Sequence, residues 1–154
     1  MGIINTLNIE KLKQQYRETG YVVIKNLLLD EVAQAAYEAL KNRVPWEFHY
    51  REMNTGRVGV VNPADLERLT PREVIRLIPQ MATLKDNDFS FAYCSFTIPT
   101  RAGDCTEPVR ILNDILRYFN SDEYLGLLAA ITGDASGKEV STWCSRYDRN
   151  HHLS

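Results

Sequence analysis

The spacing of apolar residues changes period at Pro45, and that change limits which elements the chain can build. Ahead of it, Ile9, Leu12 and Tyr16 recur at i, i+3 and i+7 between Asn8 and Thr19, which is one face of a helix. Gly20 follows where a helix commonly stops in a left-handed turn. Asp30 stands as an N-cap ahead of a second helical run through Val32, Ala36 and Leu40. Between these helices, Tyr21-Val22-Val23-Ile24 is a β-branched and aromatic run of strand length. Beyond Pro45, Trp46, Phe48 and Tyr50 alternate with polar residues, the period-two pattern of a half-buried strand.

The same signals continue to the end of the chain. Val58-Gly59-Val60-Val61 reads as a second strand. Thr70-Pro71-Arg72-Glu73 sets a capping Thr, a Pro at the first helical position and a Glu three residues after the cap, a strong helix start. That helix carries Val74, Ile75, Leu77 and Ile78 until Pro79 bends or ends it. A strand is expected from Phe89 to Ile98 and a helix from Val109 to Phe119. Ser121-Asp122-Glu123 caps another helix that stops at Gly133, and a last strand runs from Val140 to Tyr147. No internal repeat, low-complexity tract or linker interrupts the pattern, so residues 1–154 read as a single α+β domain whose helices buttress a β-sheet.

Composition narrows the function classes. The 154 residues suffice to bury a core. The formal net charge of -2 and the lack of a basic stripe argue against nucleic acid as a partner. Cys94, Cys105 and Cys144 are odd in number and form no CxxC pair, which points to a reducing, cytoplasmic setting. The first residues lack a charged-then-apolar leader pattern, and no apolar run approaches the roughly 20 residues a membrane helix needs.

The segment from Val140 to Ser154 carries most of the chemistry. Strand alternation puts Ser141, Trp143, Ser145 and Tyr147 on one face and Thr142, Cys144 and Arg146 on the other. Trp143 reads as core packing and Cys144 as a small buried residue. Arg146 reads as a surface group or a partner for Asp148, and His49 as an ordinary strand histidine. In a strand the adjacent His151 and His152 point to opposite faces. In a turn they and Asp148 would begin a metal site, for which a solvated polar loop is the plainer reading. The sequence holds no G-x-S-x-G nucleophile elbow and no Gly-rich phosphate loop.

Four segments, in order, resemble a known family. Arg17-Glu18-Thr19-Gly20-Tyr21-Val22-Val23-Ile24-Lys25-Asn26-Leu27-Leu28 is similar to the F-x-x-x-G-Y-x-V-x-x-x-L opening of prolyl-hydroxylase-like, 2-oxoglutarate/Fe(II)-dependent oxygenases. Phe89-Ser90-Phe91-Ala92-Tyr93 resembles their middle strand. The stretch Phe119-Asn120-Ser121-Asp122-Glu123-Tyr124-Leu125-Gly126-Leu127-Leu128, with Ile131-Thr132-Gly133, resembles the LNSxEFLxxLxxITG helix. That helix marks the branch containing the ribosomal-protein prolyl hydroxylases and their bacterial relatives. Arg146 to Ser154 looks like the lead-in to the family's His-x-Asp motif.

The resemblance implies a helix-buttressed double-stranded β-helix, or jelly roll, incomplete at its C-terminal side. It implies Fe(II) and 2-oxoglutarate as cofactors of the complete enzyme, with ascorbate as a compatible accessory. A prolyl or other amino-acid-type substrate, peptidyl or small, is expected. Tyr147 is then the cofactor-binding residue, facing the barrel interior with its hydroxyl beside the 2-oxoglutarate carboxylate. No His-x-Asp or His-x-Glu occurs in the sequence, so no catalytic residue and no metal ligand of that class is assigned. Family spacing puts the first ligand about two residues past Ser154. The alternative is a non-catalytic, truncated oxygenase-like module acting in binding or assembly, with a homodimer covering its open sheet edge. A metal-binding protein using Asp148, His151 and His152 is the third reading.

Overall fold

The computed structural model describes residues 3–51, 56–77, 91–100, 109–148 and 151–153. In chain order its elements are α1 (Ile9–Thr19), α2 (Asp30–Asn42), β1 (Glu47–Arg51), β2 (Val58–Val61), α3 (Pro63–Leu66) and α4 (Pro71–Leu77). They continue with β3 (Phe91–Thr97), α5 (Arg110–Phe119), α6 (Asp122–Thr132), β4 (Trp143–Arg146) and β5 (His152–Leu153). The class is α+β, as the change of period implies. The elements fall into two compact units, Met1–Val44 with Ile98–Thr142, and Pro45–Thr97 with Trp143–Ser154.

The first unit is helical. Local side chains fix its helix ends: the Lys11 N–H donates to the Asn8 side chain, and Gly20 closes α1 at φ 76° with its N–H on the Tyr16 carbonyl. Ser121 and Gly133 bracket α6 in the same way. Asp30 is the first residue of α2 rather than its cap; Leu29 holds the cap position without a side-chain bond. Asp30 and Glu31 still favour the first turn through the helix dipole. Val32, Ala36 and Ala39 of α2 and Leu112 and Leu116 of α5 are buried. Asn113 is buried with them, and its amide donates to the Pro99 carbonyl.

Two expected strands are corrected in this unit. Tyr21 to Ile24 forms no strand; its backbone is irregular, and Tyr21 and Val23 are exposed. The Thr19 hydroxyl donates to the Tyr21 carbonyl and accepts from the Tyr21 N–H, so local bonds occupy the groups a ladder would use. Among the described residues, the pairing nearby is an isolated bridge between Ile4 and Leu28. The strand expected from Val140 begins only at Trp143. The reason is Asn120, whose amide donates to the Val140 carbonyl and whose side-chain oxygen accepts the Val140 N–H.

The second unit is built on an antiparallel sheet of order β2-β1-β3-β4, with β5 also paired to β3. Residue β3 partners fix two faces. Phe48 stands opposite both Val61 and Cys94, and Cys94 opposite Arg146. The inner face therefore carries Phe48, Tyr50, Ala92, Cys94, Cys144 and Arg146, with Phe48, Ala92 and Cys94 buried. The outer face carries His49, Val58, Val60, Tyr93, Trp143 and Tyr147. The Thr70–Glu73 start of α4 forms as the sequence implies: the Thr70 N–H and hydroxyl donate to the Glu73 carboxylate at 2.8 and 2.7 Å. Those bonds hold the Glu73 carboxyl below its ordinary value. Pro79, Phe89 and Ser90 lie outside the described residues.

Gly59 sits directly opposite Tyr50, and a Cβ there would run into the Tyr50 ring. Gly59→Ala is therefore expected to destabilise the protein by about 1–3 kcal/mol, the cost of an overpacked site. Adding Tyr50→Ala should make the Gly59→Ala change nearly free. Urea denaturation of the four variants checks this, and additive losses in the double variant would contradict the assigned contact.

Candidate functional site

On its fourth strand the sheet interrupts its own ladder. β4 pairs with β3 as far as Arg146 opposite Cys94, and β5 resumes with His152 opposite Ala92. Between these two pairings β3 contributes Tyr93 alone. The His151 N–H donates to the Asp148 carbonyl at 3.0 Å. Asp148 and His151 lie beside Cys94 of the inner face. Ligand atoms of Cys94, Asp148 and His151 lie within 4.8 Å of one another.

Arg146 ties this cluster together. Its guanidinium donates from Nε to Asp148 at 3.1 Å and from Nη2 to the Cys94 Sγ at 3.5 Å. It also lies over the Trp46 ring, 5.1 Å from the centroid, an arrangement typically worth about 0.5–2 kcal/mol depending on desolvation. His151 packs against Phe48 with ring centroids 5.3 Å apart. Its Nδ1 lies 3.3 Å from the Arg146 carbonyl. A carbonyl only accepts, so in the neutral ring Nδ1 carries the proton and Nε2 keeps the lone pair.

Burial pushes the Cys94 thiol up; the Arg146 guanidinium pulls it the other way, and Asp148 adds to the rise. Cys144 is half-buried, and burial raises its thiol too. Neither has the depressed thiol and open approach of a nucleophile. Cys105 lies outside the described residues.

The outer face is different in kind. His49, Tyr93 and Tyr147 form a row across it, with centroids 6.0 Å apart for the first pair and 5.6 Å for the second, both stacked. Tyr147 is 50% exposed and Trp143 62% exposed. The expected sharing of a face by Trp143 and Tyr147 holds, but the expectation that Trp143 is core is corrected: it looks outward. Arg146 pairs with Asp148, one of the two roles expected for it. His49 is a strand histidine with Glu47 at 3.3 Å.

Of the metal set considered from sequence, the structure joins Asp148 and His151. The backbone of His152 lies in β5 opposite Ala92, and the third donor is instead Cys94, which no local pattern singles out. Its only signal was an alternate position with Ala92 in a strand, because the partner across the ladder is not written locally. In the helical unit, a cleft of about 280 Å³ is lined by Ile4, Thr6, Ile9, Tyr118, Glu123 and Leu127 among others. Its one carboxylate, Glu123, accepts from the Tyr118 hydroxyl at 3.0 Å.

No family model matches the sequence, and neither the curated proteins nor the solved structures hold a significant match to the chain. Among the described residues no helix is long and apolar enough to cross a membrane.

With Cys94 buried and its thiol raised, iodoacetamide at neutral pH is expected to alkylate it at least about tenfold more slowly in the folded protein than in urea. Peptide mass spectrometry over a time course reads this residue separately from Cys105 and Cys144. Equal rates in the two conditions would overturn the assigned burial.

Proposed function

We propose that the chain forms the front part of a 2-oxoglutarate/Fe(II)-dependent oxygenase domain, acting on a prolyl or other amino-acid-type substrate. The observation that carries this reading is the outer sheet face. It presents an aromatic row ending at Tyr147, immediately after β4, and Tyr147 and Trp143 on it are exposed. A double-stranded β-helix packs one sheet face against a second sheet and builds its pocket between them. On this reading the row His49–Tyr93–Tyr147 is the wall of that pocket. The Tyr147 hydroxyl serves as donor to a cofactor carboxylate, and stacking on Tyr93 holds its ring.

The donors on the described residues do not fit the iron of this class. Such iron takes two histidines and one carboxylate with open positions. The cluster found here offers one thiol, one carboxylate and one histidine, with Arg146 bonded to the first two. No reaction step is therefore assigned to these residues, and the proposal places the iron ligands in chain following residue 154.

The test is to read the frame beyond Ser154 and assay the extended polypeptide for Fe(II)-dependent conversion of 2-oxoglutarate to succinate. A His-x-Asp within the first several residues and measurable turnover are expected. Tyr147→Phe removes a hydrogen bond to a charged group, worth about 1.5–3 kcal/mol, and so should raise the KM for 2-oxoglutarate about tenfold or more. A stop codon, an unrelated continuation or an unchanged KM would contradict the proposal.

A second reading, a non-catalytic binding or assembly module, is favoured by β2. Among the described residues it is one edge of the sheet, with Val58 and Val60 exposed on it. Bare edges of this kind are usually covered, and this reading makes the chain a homodimer paired through β2. Sedimentation equilibrium separates the readings, since a monomer at high concentration removes the second.

A further inference from the structure

We propose that Cys94, Asp148 and His151 form a binding site for one divalent ion of the zinc class, with Arg146 standing in for its charge when no ion is held. The site is independent of the oxygenase reading, because its donor set differs from that of the iron expected there.

Three features of the geometry support it. The donors come from two separate parts of the chain, Cys94 from the central strand β3 and Asp148 and His151 from positions between β4 and β5, and the pairing of both those strands with β3 brings them to Cys94. They already lie within 4.8 Å of one another. A tetrahedral zinc ion, with Zn–S near 2.3 Å and Zn–N or Zn–O near 2.0 Å, needs donor separations of about 3.3–3.5 Å. Closing that gap takes side-chain adjustment, and Asp148, with its side chain 53% exposed, is free to make it.

The second feature is the histidine. A metal-ligating imidazole normally donates its other ring N–H to a carbonyl or carboxylate, which sets the tautomer and the ring orientation. His151 already does so through Nδ1 to the Arg146 carbonyl, leaving Nε2 as the ligand atom.

The third feature is Arg146. A guanidinium bonded to both a thiol and a carboxylate occupies the electrostatic position of a cation. It has somewhere to go when displaced, since it already lies over the face of Trp46.

The donor set selects the ion class. A thiolate with an imidazole and one carboxylate suits zinc, whereas magnesium and calcium prefer oxygen donors alone. Three protein ligands leave the fourth tetrahedral position to water, and Asp148 marks the solvent side through which both ion and water reach the buried sulfur. Binding replaces the S–H bond of Cys94 with a metal–sulfur bond and releases that proton to solvent, so affinity rises with pH.

The test titrates CoCl2 into the 154-residue chain, purified without a tag in a non-chelating reductant and followed by absorption. A thiolate-to-cobalt charge-transfer band that saturates at one equivalent, with the intense visible bands of four-coordinate cobalt, is expected. One equivalent of ZnCl2 should abolish both. Cys94→Ser should remove the charge-transfer band. Because that variant alters a buried position, Asp148→Asn and His151→Ala provide the independent check. Each should weaken binding by at least the roughly tenfold that losing an outer-shell partner costs. Arg146→Gln, which removes the competing cation, should tighten it. Absence of a charge-transfer band in the parent chain, its persistence in Cys94→Ser, or unchanged affinity in both Asp148→Asn and His151→Ala would overturn the site.

Discussion

Strand β3 carries β1 along one edge and both β4 and β5 along the other, and the row it makes across the sheet sets everything around it. In that row Phe48, Cys94 and Arg146 lie side by side on the inner face. Phe48 and Cys94 are sealed from water, and burying a side chain the size of Phe48 is worth about 1.5–3 kcal/mol. A slip of one residue in this register would send Cys94 and Arg146 outward and bring Tyr93 and Tyr147 in. The row therefore decides at once where the donor cluster forms and which face presents the aromatic residues.

The helix boundaries were legible in the sequence because their chemistry is local. Asn8 with Gly20, Ser121 with Gly133 and Thr70 with Glu73 each satisfy backbone groups within a few residues. The period-two run at Phe48 was legible for a related reason: alternation is a property of the strand itself. Tyr21 to Ile24 shows the limit of that signal. Its residues favour a strand, but a ladder needs a partner, and the Thr19 hydroxyl bonds the Tyr21 backbone groups instead. Val140 was lost to Asn120, twenty positions away in sequence.

The candidate site was half legible for the same physical reason. Asp148 and His151 are three residues apart, and a turn between them could be anticipated. Cys94 lies more than fifty residues earlier, and only the register of β3 against β4 brings it to them. Trp143 was misplaced because alternation tells which residues share a face without telling which face is covered. Cys144 and Arg146 share the face of buried Cys94, so the row of Trp143 is outside.

On the proposed reading, the outer face with Trp143 and Tyr147 upon it is the surface against which the remainder of an oxygenase domain packs. Hydroxyl-radical footprinting tests this directly, by comparing the 154-residue chain with the polypeptide extended along its own reading frame. Trp143 and Tyr147 should be oxidised readily in the shorter chain and protected in the longer one, while Trp46 and Phe48 stay protected in both. Equal oxidation of Trp143 and Tyr147 in the two polypeptides would contradict the claim.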